Sequence, residues 1–82
     1  MAGMSPAELL EVLARALVEA PDQVVVTEVP EGEGELVLEL EVAEDDLGRV
    51  IGRGGRVANA LRSVVRASAT QSEQRILVEI LD

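Results

Sequence analysis

Residues 50–56 read Val50-Ile51-Gly52-Arg53-Gly54-Gly55-Arg56, a short loop framed by glycines. Glycine adopts the positive φ that a tight turn needs, and it leaves room for another backbone to approach. A helix that begins just after the loop would present free N–H groups and its dipole to an anion. With Arg49 close by, the stretch predicts a phosphate-binding loop. The alternative is a plain helix–turn–helix corner in which glycine serves only as a cap.

A short helix is predicted before the loop. Leu47, Val50 and Ile51 recur at i, i+3 and i+4, and Gly52 ends the pattern. The acidic residues at 44–46 fall in the first turn, where negative charge suits the helix dipole. They lack the Gly and distal Glu of a calcium loop, so we expect a solvated helix start rather than a metal site.

A longer amphipathic helix is predicted after the loop, from about Gly55 to Ala69. At about 100° per residue, its apolar and basic residues separate onto opposite faces. The apolar face comprises Val57, Ala60, Leu61, Val64 and Ser68. The opposite face is a basic stripe of Arg56, Asn59, Arg62 and Arg66.

The rest of the chain supplies one more helix and three strands. Ser5-Pro6-Ala7-Glu8 has the pattern of a capping box with Pro at the first helical position, and Pro21 ends the helix that follows. The apolar residues of this helix are Leu9, Leu13, Ala16, Leu17 and Ala20. Residues 24–29 and 35–42 form a predicted hairpin, and residues 75–81 form a last strand.

The predicted order α-β-β-α-α-β describes an α+β fold in which a three-stranded sheet packs on helices. The strands alternate, so that one side of each is apolar. These apolar residues are Leu36, Leu38, Leu40 and Val42 in the second strand, and Ile76, Val78 and Ile80 in the third. We expect one domain over residues 1–82, with a loose tail at residues 1–4.

The charge of the chain is unevenly distributed. The 82 residues carry 16 acidic and 7 basic side chains, a formal net charge of −9. Residues 1–46 have a net charge of −12, whereas residues 47–72 carry five Arg and no acid. The local field near a site, rather than the total charge, selects an anion. Every basic residue is Arg, whose planar donors suit phosphate, although the codon preference of a GC-rich genome also explains the absence of Lys.

Composition excludes several functions. The chain has no Cys, no His and no Lys. Without these residues, no nucleophile–base pair or metal cluster can be assembled. We therefore expect neither an enzyme nor a bound metal or cofactor. The lack of Lys also excludes a Walker loop. Without Phe, Tyr or Trp, bases cannot stack on aromatic platforms. No membrane span or secretory signal is visible, which favours the cytoplasm.

The loop and its surroundings resemble a known family. Val50-Ile51-Gly52-Arg53-Gly54-Gly55-Arg56 is similar to the I-G-x-x-G signature of K-homology (KH) domains, whose loop clamps the backbone of about four single-stranded nucleotides. The element order corresponds to the prokaryotic, type II arrangement. Pro21-Asp22, Val42-Ala43, Gly48-Arg49 and Ala60-Leu61-Arg62 further resemble the small stand-alone bacterial KH proteins of the KhpA type. Gly54 departs from the family, where a polar residue is common.

The resemblance implies a cytoplasmic RNA chaperone or regulator linked to cell elongation and division. It also implies a homodimer, or a heterodimer with a second KH-containing protein. The expected RNA-binding residues are Arg49, Ile51, Gly52, Arg53, Gly54, Gly55, Arg56 and Arg62. Val50, Val57, Leu38 and Leu40 are further candidates for the floor of a base-binding groove, as is Ile51, but a core role is favoured for each. The alternative function is a protein-interaction module whose long helix and Arg stripe bind a partner.

Overall fold

The computed structural model describes residues 3–69 and 74–82, so the predicted loose tail at residues 1–4 lies partly outside the described residues. The elements follow the predicted order α-β-β-α-α-β. They are α1 (Pro6–Leu17), β1 (Val25–Pro30), β2 (Glu35–Glu41), α2 (Leu47–Ile51), α3 (Arg56–Ser68) and β3 (Arg75–Ile80). Short 3-10 turns cover Pro21–Gln23, Glu44–Asp46 and Arg53–Gly55. Within the described ranges, no helix has the length and hydrophobicity needed to cross a membrane.

The three strands form one sheet in the order β1-β2-β3. The hairpin makes β1 and β2 antiparallel, whereas the α2–α3 crossover makes β3 parallel to β2. The predicted alternation is confirmed, because Leu38, Leu40, Ile76 and Val78 are all buried in the core. Their strand neighbours point to the other side of the sheet. All three helices therefore pack on one side.

The capping box of α1 is confirmed. The Ser5 hydroxyl accepts a hydrogen bond from the Glu8 N–H at 3.1 Å, and the Ser5 N–H donates to Glu8 Oε1 at 3.0 Å. The bond from the Ser5 backbone N–H holds the pKa of Glu8 below its ordinary value. Glu11 and Arg15, four residues apart on α1, form an ion pair at 3.3 Å.

The buried side of α1 differs from the predicted one. Leu9, Leu10 and Ala14 are buried, whereas Ala16 is exposed and Leu17 is 39% exposed. The helix ends at Leu17 and not at Pro21, with Val18 as its C-cap. The apolar residues of α1 cover more than one face, and contacts with β1 and α3 decide which of them enter the core.

The buried side of α3 is likewise turned from the predicted apolar face. Ala58, Leu61 and Val65 are buried, and of the predicted set only Leu61 is among them. Val64 is 46% exposed, and Ala60 is exposed as well. The shift corresponds to one residue, or about 100° around the helix. It leaves an apolar edge of α3 at the surface beside α1.

Asp46 is only 3% exposed, so the expected solvated helix start is wrong for this residue. Its two carboxylate oxygens each accept a hydrogen bond of 3.1 Å, from the N–H groups of Glu19 and Ala20. Arg49 Nε lies 3.5 Å from Asp46 Oδ1. The chain leaving α1 has N–H groups without helical partners, and Asp46 supplies their acceptors. The neighbouring Asp45 is exposed, as expected.

Replacing Asp46 by Ala leaves two partly buried N–H groups without an acceptor. We expect Asp46→Ala to lower the free energy of unfolding by about 2–3 kcal/mol. Asp45→Ala, the matched control at an exposed neighbouring position, is expected to cost less than about 0.5 kcal/mol. Urea unfolding of both variants measures the difference. Equal costs would contradict the bridging role of Asp46.

Candidate nucleic-acid interface

The loop, defined here as residues 52–55, begins at a glycine that no other residue can replace without strain. The Gly52 N–H donates to the Gly48 carbonyl at 2.9 Å and ends α2. Gly52 has φ 75° and ψ 167°, a conformation almost confined to glycine. A Cβ placed there would lie 2.5 Å from Val57 Cγ2 and 2.8 Å from the Val57 nitrogen. The corner between α2 and α3 therefore depends on the absence of a side chain at Gly52.

Two further glycines in left-handed conformations complete the loop. Gly54 has φ 64° and ψ 18°, and Gly55 has φ 77° and ψ 13°. The Gly55 N–H donates to the Gly52 carbonyl at 3.1 Å, and the Arg56 N–H donates to the Arg53 carbonyl. The chain thereby closes a tight turn directly into α3. A Cβ on Gly54 would meet open space, so the outer side of the loop is accessible.

The loop leaves two backbone donors unused. In the described part of the chain, no group accepts a hydrogen bond from the N–H of Arg53 or of Gly54. Both residues are exposed. These donors lie within one turn of the start of the 13-residue helix α3, whose dipole adds partial positive charge. The geometry suits an anion with several acceptor oxygens, such as a phosphate.

The predicted arginines fall into two groups. Arg53 and Arg56 are exposed, and no carboxylate of residues 3–69 or 74–82 forms an ion pair with either. Arg49, in contrast, is held by acids: its Nη2 lies 2.6 Å from Glu19 Oε1, and its Nε lies near Asp46. The positive charge available to a ligand at the loop therefore comes from Arg53 and Arg56.

Arg62 lies farther along α3, on the side that faces β3. Its Nε donates to the Val78 carbonyl at 3.2 Å, and its NH1 donates to Asn59 Oδ1 at 3.3 Å. The side chain is half-buried and links α3 to the last strand. Its stem and guanidinium form part of the wall between these two elements.

The candidate residues for the base-binding groove differ in how deeply they are buried. Leu38, Leu40 and Val50 are completely buried and belong to the core, the role favoured for them. Ile51 is 39% exposed, so the favoured core role is wrong for it, and it stays a candidate for contact with a ligand beside the loop. Val57 is half-buried under Gly52. Ile51 is thus the accessible apolar side chain nearest the glycines in sequence.

Sequence reasoning did not locate an apolar groove between α1 and α3, although it allowed for an exposed patch on the long helix. The groove, called here the α1–α3 groove, has a volume of about 320 Å³. Its lining residues are Leu13, Leu17, Arg56, Val57, Ala60, Leu61 and Val64. The available signal was that both helices carry more apolar residues than one buried face needs.

The two central glycine positions predict different costs of substitution. Gly52→Ala places a methyl group against the Val57 backbone and retains an unfavourable φ, so we expect it to destabilise by at least about 2 kcal/mol. At Gly54→Ala the added methyl group meets open space, so only the strain of the left-handed φ remains. We expect it to destabilise by about 1 kcal/mol. Denaturant unfolding compares the two. A larger cost at Gly54 would contradict the described corner.

Known proteins are similar to this chain in sequence. The family model "KhpA/KhpB, KH domain" matches residues 7–80. The RNA-binding protein KhpA of Clostridium acetobutylicum is 49% identical over 74 residues, covering 90% of this chain and 97% of the relative. The RNA-binding protein KhpA of Treponema pallidum is 51% identical over 75 residues, covering 92% of each chain.

Two solved structures of Era share the fold at low identity. Aquifex aeolicus Era bound to GDP.AlF4- superposes with a TM-score of 0.66 at 21% identity, covering 92% of this chain and 29% of Era. Era in complex with MgGDPNP and nucleotides 1506–1542 of 16S ribosomal RNA superposes with a TM-score of 0.65 at 20% identity. The match covers 93% of this chain and 30% of that Era chain. This chain corresponds to under a third of Era. The sequence match over residues 7–80 places the chain in the KhpA/KhpB family of KH domains.

Proposed function

We propose that this protein binds single-stranded RNA through the loop, as a cytoplasmic RNA chaperone or regulator. The observation that carries the proposal is the pair of unused N–H donors at Arg53 and Gly54, exposed at the start of α3 beside two unpaired arginines. Relatives that cover nearly the whole chain are named RNA-binding proteins, which supports the same ligand. A link to cell elongation and division, implied by the resemblance to the family, stays a prediction.

Binding begins with a phosphate at the loop. The two N–H groups donate to its oxygens, and glycine at position 54 lets the sugar–phosphate backbone approach without meeting a side chain. The Arg53 and Arg56 guanidiniums neutralise the phosphate charge and that of its neighbours. None of these contacts depends on base identity, so the loop provides affinity rather than sequence preference.

Bases then extend along the surface between α3 and β3. Ile51 offers apolar contact at the loop end of this path, and Arg62 offers a guanidinium plane farther along. An aliphatic surface with one planar cation suits unstacked bases where aromatic residues are missing. Arg49 contributes less than the other arginines because a phosphate must compete with Glu19 and Asp46 for it.

Adding negative charge to the loop tests this proposal. Arg53→Asp combined with Gly54→Asp turns attraction into repulsion, and we expect the affinity for a labelled single-stranded RNA to fall at least about tenfold. The matched control is Arg53→Asn with Gly54→Asn, which has the same shape and tolerates the left-handed φ equally well. It removes one positive charge without adding a negative one, so its loss should be about threefold.

The same titrations, repeated at several salt concentrations, measure the electrostatic contribution. About three neutralised phosphates predict a log–log slope of about −2 for a single strand. The double Asp and double Asn variants should unfold within about 1 kcal/mol of each other. Unchanged RNA affinity in a folded double Asp variant would show that the loop is only a helix corner.

The α1–α3 groove favours a second, compatible function, which is self-association or pairing with another KH-containing protein. Its exposed apolar residues include Leu17 at 39% and Val64 at 46%. Grooves of this kind on small soluble domains mark interaction sites. The groove lies on the side of α3 that faces α1, whereas Arg62 faces β3; Arg56 belongs to both the groove lining and the proposed RNA contacts, so the two sites adjoin at the start of α3.

Introducing a charged residue into the groove tests assembly independently of RNA binding. We expect Val64→Asp to shift the protein toward the monomer in light scattering, because it places a carboxylate in an apolar contact. Ser63→Asp, an exposed neighbour outside the groove lining, is the matched control and should leave the mass unchanged. Both variants should bind RNA within about twofold of one another. A dimer retained by Val64→Asp would exclude this groove as the interface.

A further inference from the structure

One side of the sheet carries no helix of residues 3–69 or 74–82. The outer face, as we call it, is formed by the strand residues that alternate with the buried ones. Its centre is a continuous apolar row, because Val29 lies opposite Val37, and Val37 lies opposite Leu77. All three side chains are half-buried, although no described helix covers them. A row of aliphatic side chains across all three strands is an unusual surface for a small soluble domain.

The next row of the outer face is acidic. Thr27 lies opposite Glu39, and Glu39 lies directly opposite Glu79. Like charges in opposing positions destabilise a sheet. No ion pair with either carboxylate occurs among residues 3–69 and 74–82. The pair thus lacks a cation that would offset the repulsion.

The acidic and apolar character continues past the strand ends. A shallow cleft of about 600 Å³ lies where β2 and β3 finish. It combines the aliphatic residues Val42, Leu47 and Leu81 with the acidic residues Glu41, Glu44 and Asp82. The cleft thus repeats, at the strand ends, the combination of aliphatic and acidic side chains found in the two rows.

We propose that the outer face is a docking surface for a basic amphipathic segment of a partner protein. Aliphatic side chains of the segment pack on the row of Val29, Val37 and Leu77, while its Lys or Arg residues meet Glu39 and Glu79. The cation needed by the opposed glutamates is then supplied by the partner. RNA is disfavoured, because the strand residues of this face carry one cation, Arg75, against the carboxylates of Glu35, Glu39, Glu41 and Glu79.

A second copy of the chain is a poorer occupant. Its unpaired cations near the loop, Arg53 and Arg56, lie where the proposed RNA contacts are made. The outer face lies on the side of the sheet opposite the helices that carry the loop. The domain would therefore hold RNA on one side and a basic protein segment on the other, with opposite local charges keeping the two ligands apart.

A defined peptide tests the surface without knowledge of the partner. The probe is a fluorescein-labelled peptide of about 14 residues, made of Leu and Lys, with its leucines on one helical face. Glu39→Gln combined with Glu79→Gln should weaken its binding at least about fivefold in fluorescence anisotropy. Val37→Thr with Leu77→Thr should do the same, and threonine at both positions is β-branched and suits a strand.

The matched control keeps the net charge equal. Asp22→Asn with Glu33→Gln removes two exposed carboxylates away from the outer face and should change peptide affinity less than about twofold. Equal weakening by this control would show attraction by net charge alone and would overturn the proposal. Loss of peptide binding in Val64→Asp, with the outer-face variants unaffected, would assign docking to the α1–α3 groove and would also overturn it.

RNA binding provides the independent readout. The Glu39→Gln, Glu79→Gln variant should bind single-stranded RNA with unchanged affinity if the outer face is reserved for protein. An RNA affinity that rises more in this variant than in the Asp22→Asn, Glu33→Gln control would place RNA on the outer face and contradict the proposal. The thermal midpoint of the variant should stay equal or rise, because the substitution removes two opposed like charges.

Discussion

The contact between Gly52 and Val57 sets the geometry on which the rest of the interface depends. A Cβ added at Gly52 would lie only 2.8 Å from the Val57 nitrogen, so the backbone of α3 comes too close for any side chain at position 52. That approach makes α3 begin at Arg56, immediately after the loop. It also leaves the amides of Arg53 and Gly54 outside the helix and directed at no acceptor in the described chain. The proposed anion site therefore follows from a packing constraint.

The fold converts an uneven charge distribution along the chain into separate surfaces. The five arginines of residues 47–72 lie on α2, the loop and α3, on one side of the sheet. Two acids from the earlier segment, Glu19 and Asp46, hold Arg49 there. Asp46 has a structural role as well, because it accepts hydrogen bonds from the chain that leaves α1. The net charge of −9 therefore coexists with unpaired arginines at the loop.

Local patterns were sufficient to predict the elements and the loop. The capping box at Ser5, the alternation around Leu38 and the glycines of residues 52–55 all express constraints between close neighbours in sequence, which a single sequence displays directly. The buried faces of the helices were harder to predict from the sequence. Leu10 and Ala14 entered the core in place of Ala16 and Leu17 because packing against distant elements decides among several apolar residues.

Long-range polar contacts left no signal in the sequence. Asp46 is buried because its partners, the amides of Glu19 and Ala20, lie 27 and 26 residues away. The sequence predicts that Arg49 is available for RNA, because its contact with Glu19, 30 residues away, is not visible in the sequence. The outer face depends in the same way on strand register, which alone places Glu39 opposite Glu79.

The central claim is that the loop amides bind phosphate, and an NMR titration tests it most directly. A ¹⁵N-labelled protein would be titrated with a short single-stranded RNA while amide chemical shifts are followed. The account predicts that the largest changes occur at Arg53 and Gly54, with smaller ones along α3 toward Arg62. Unchanged loop amides, with shifts confined to the α1–α3 groove or to the outer face, would contradict it.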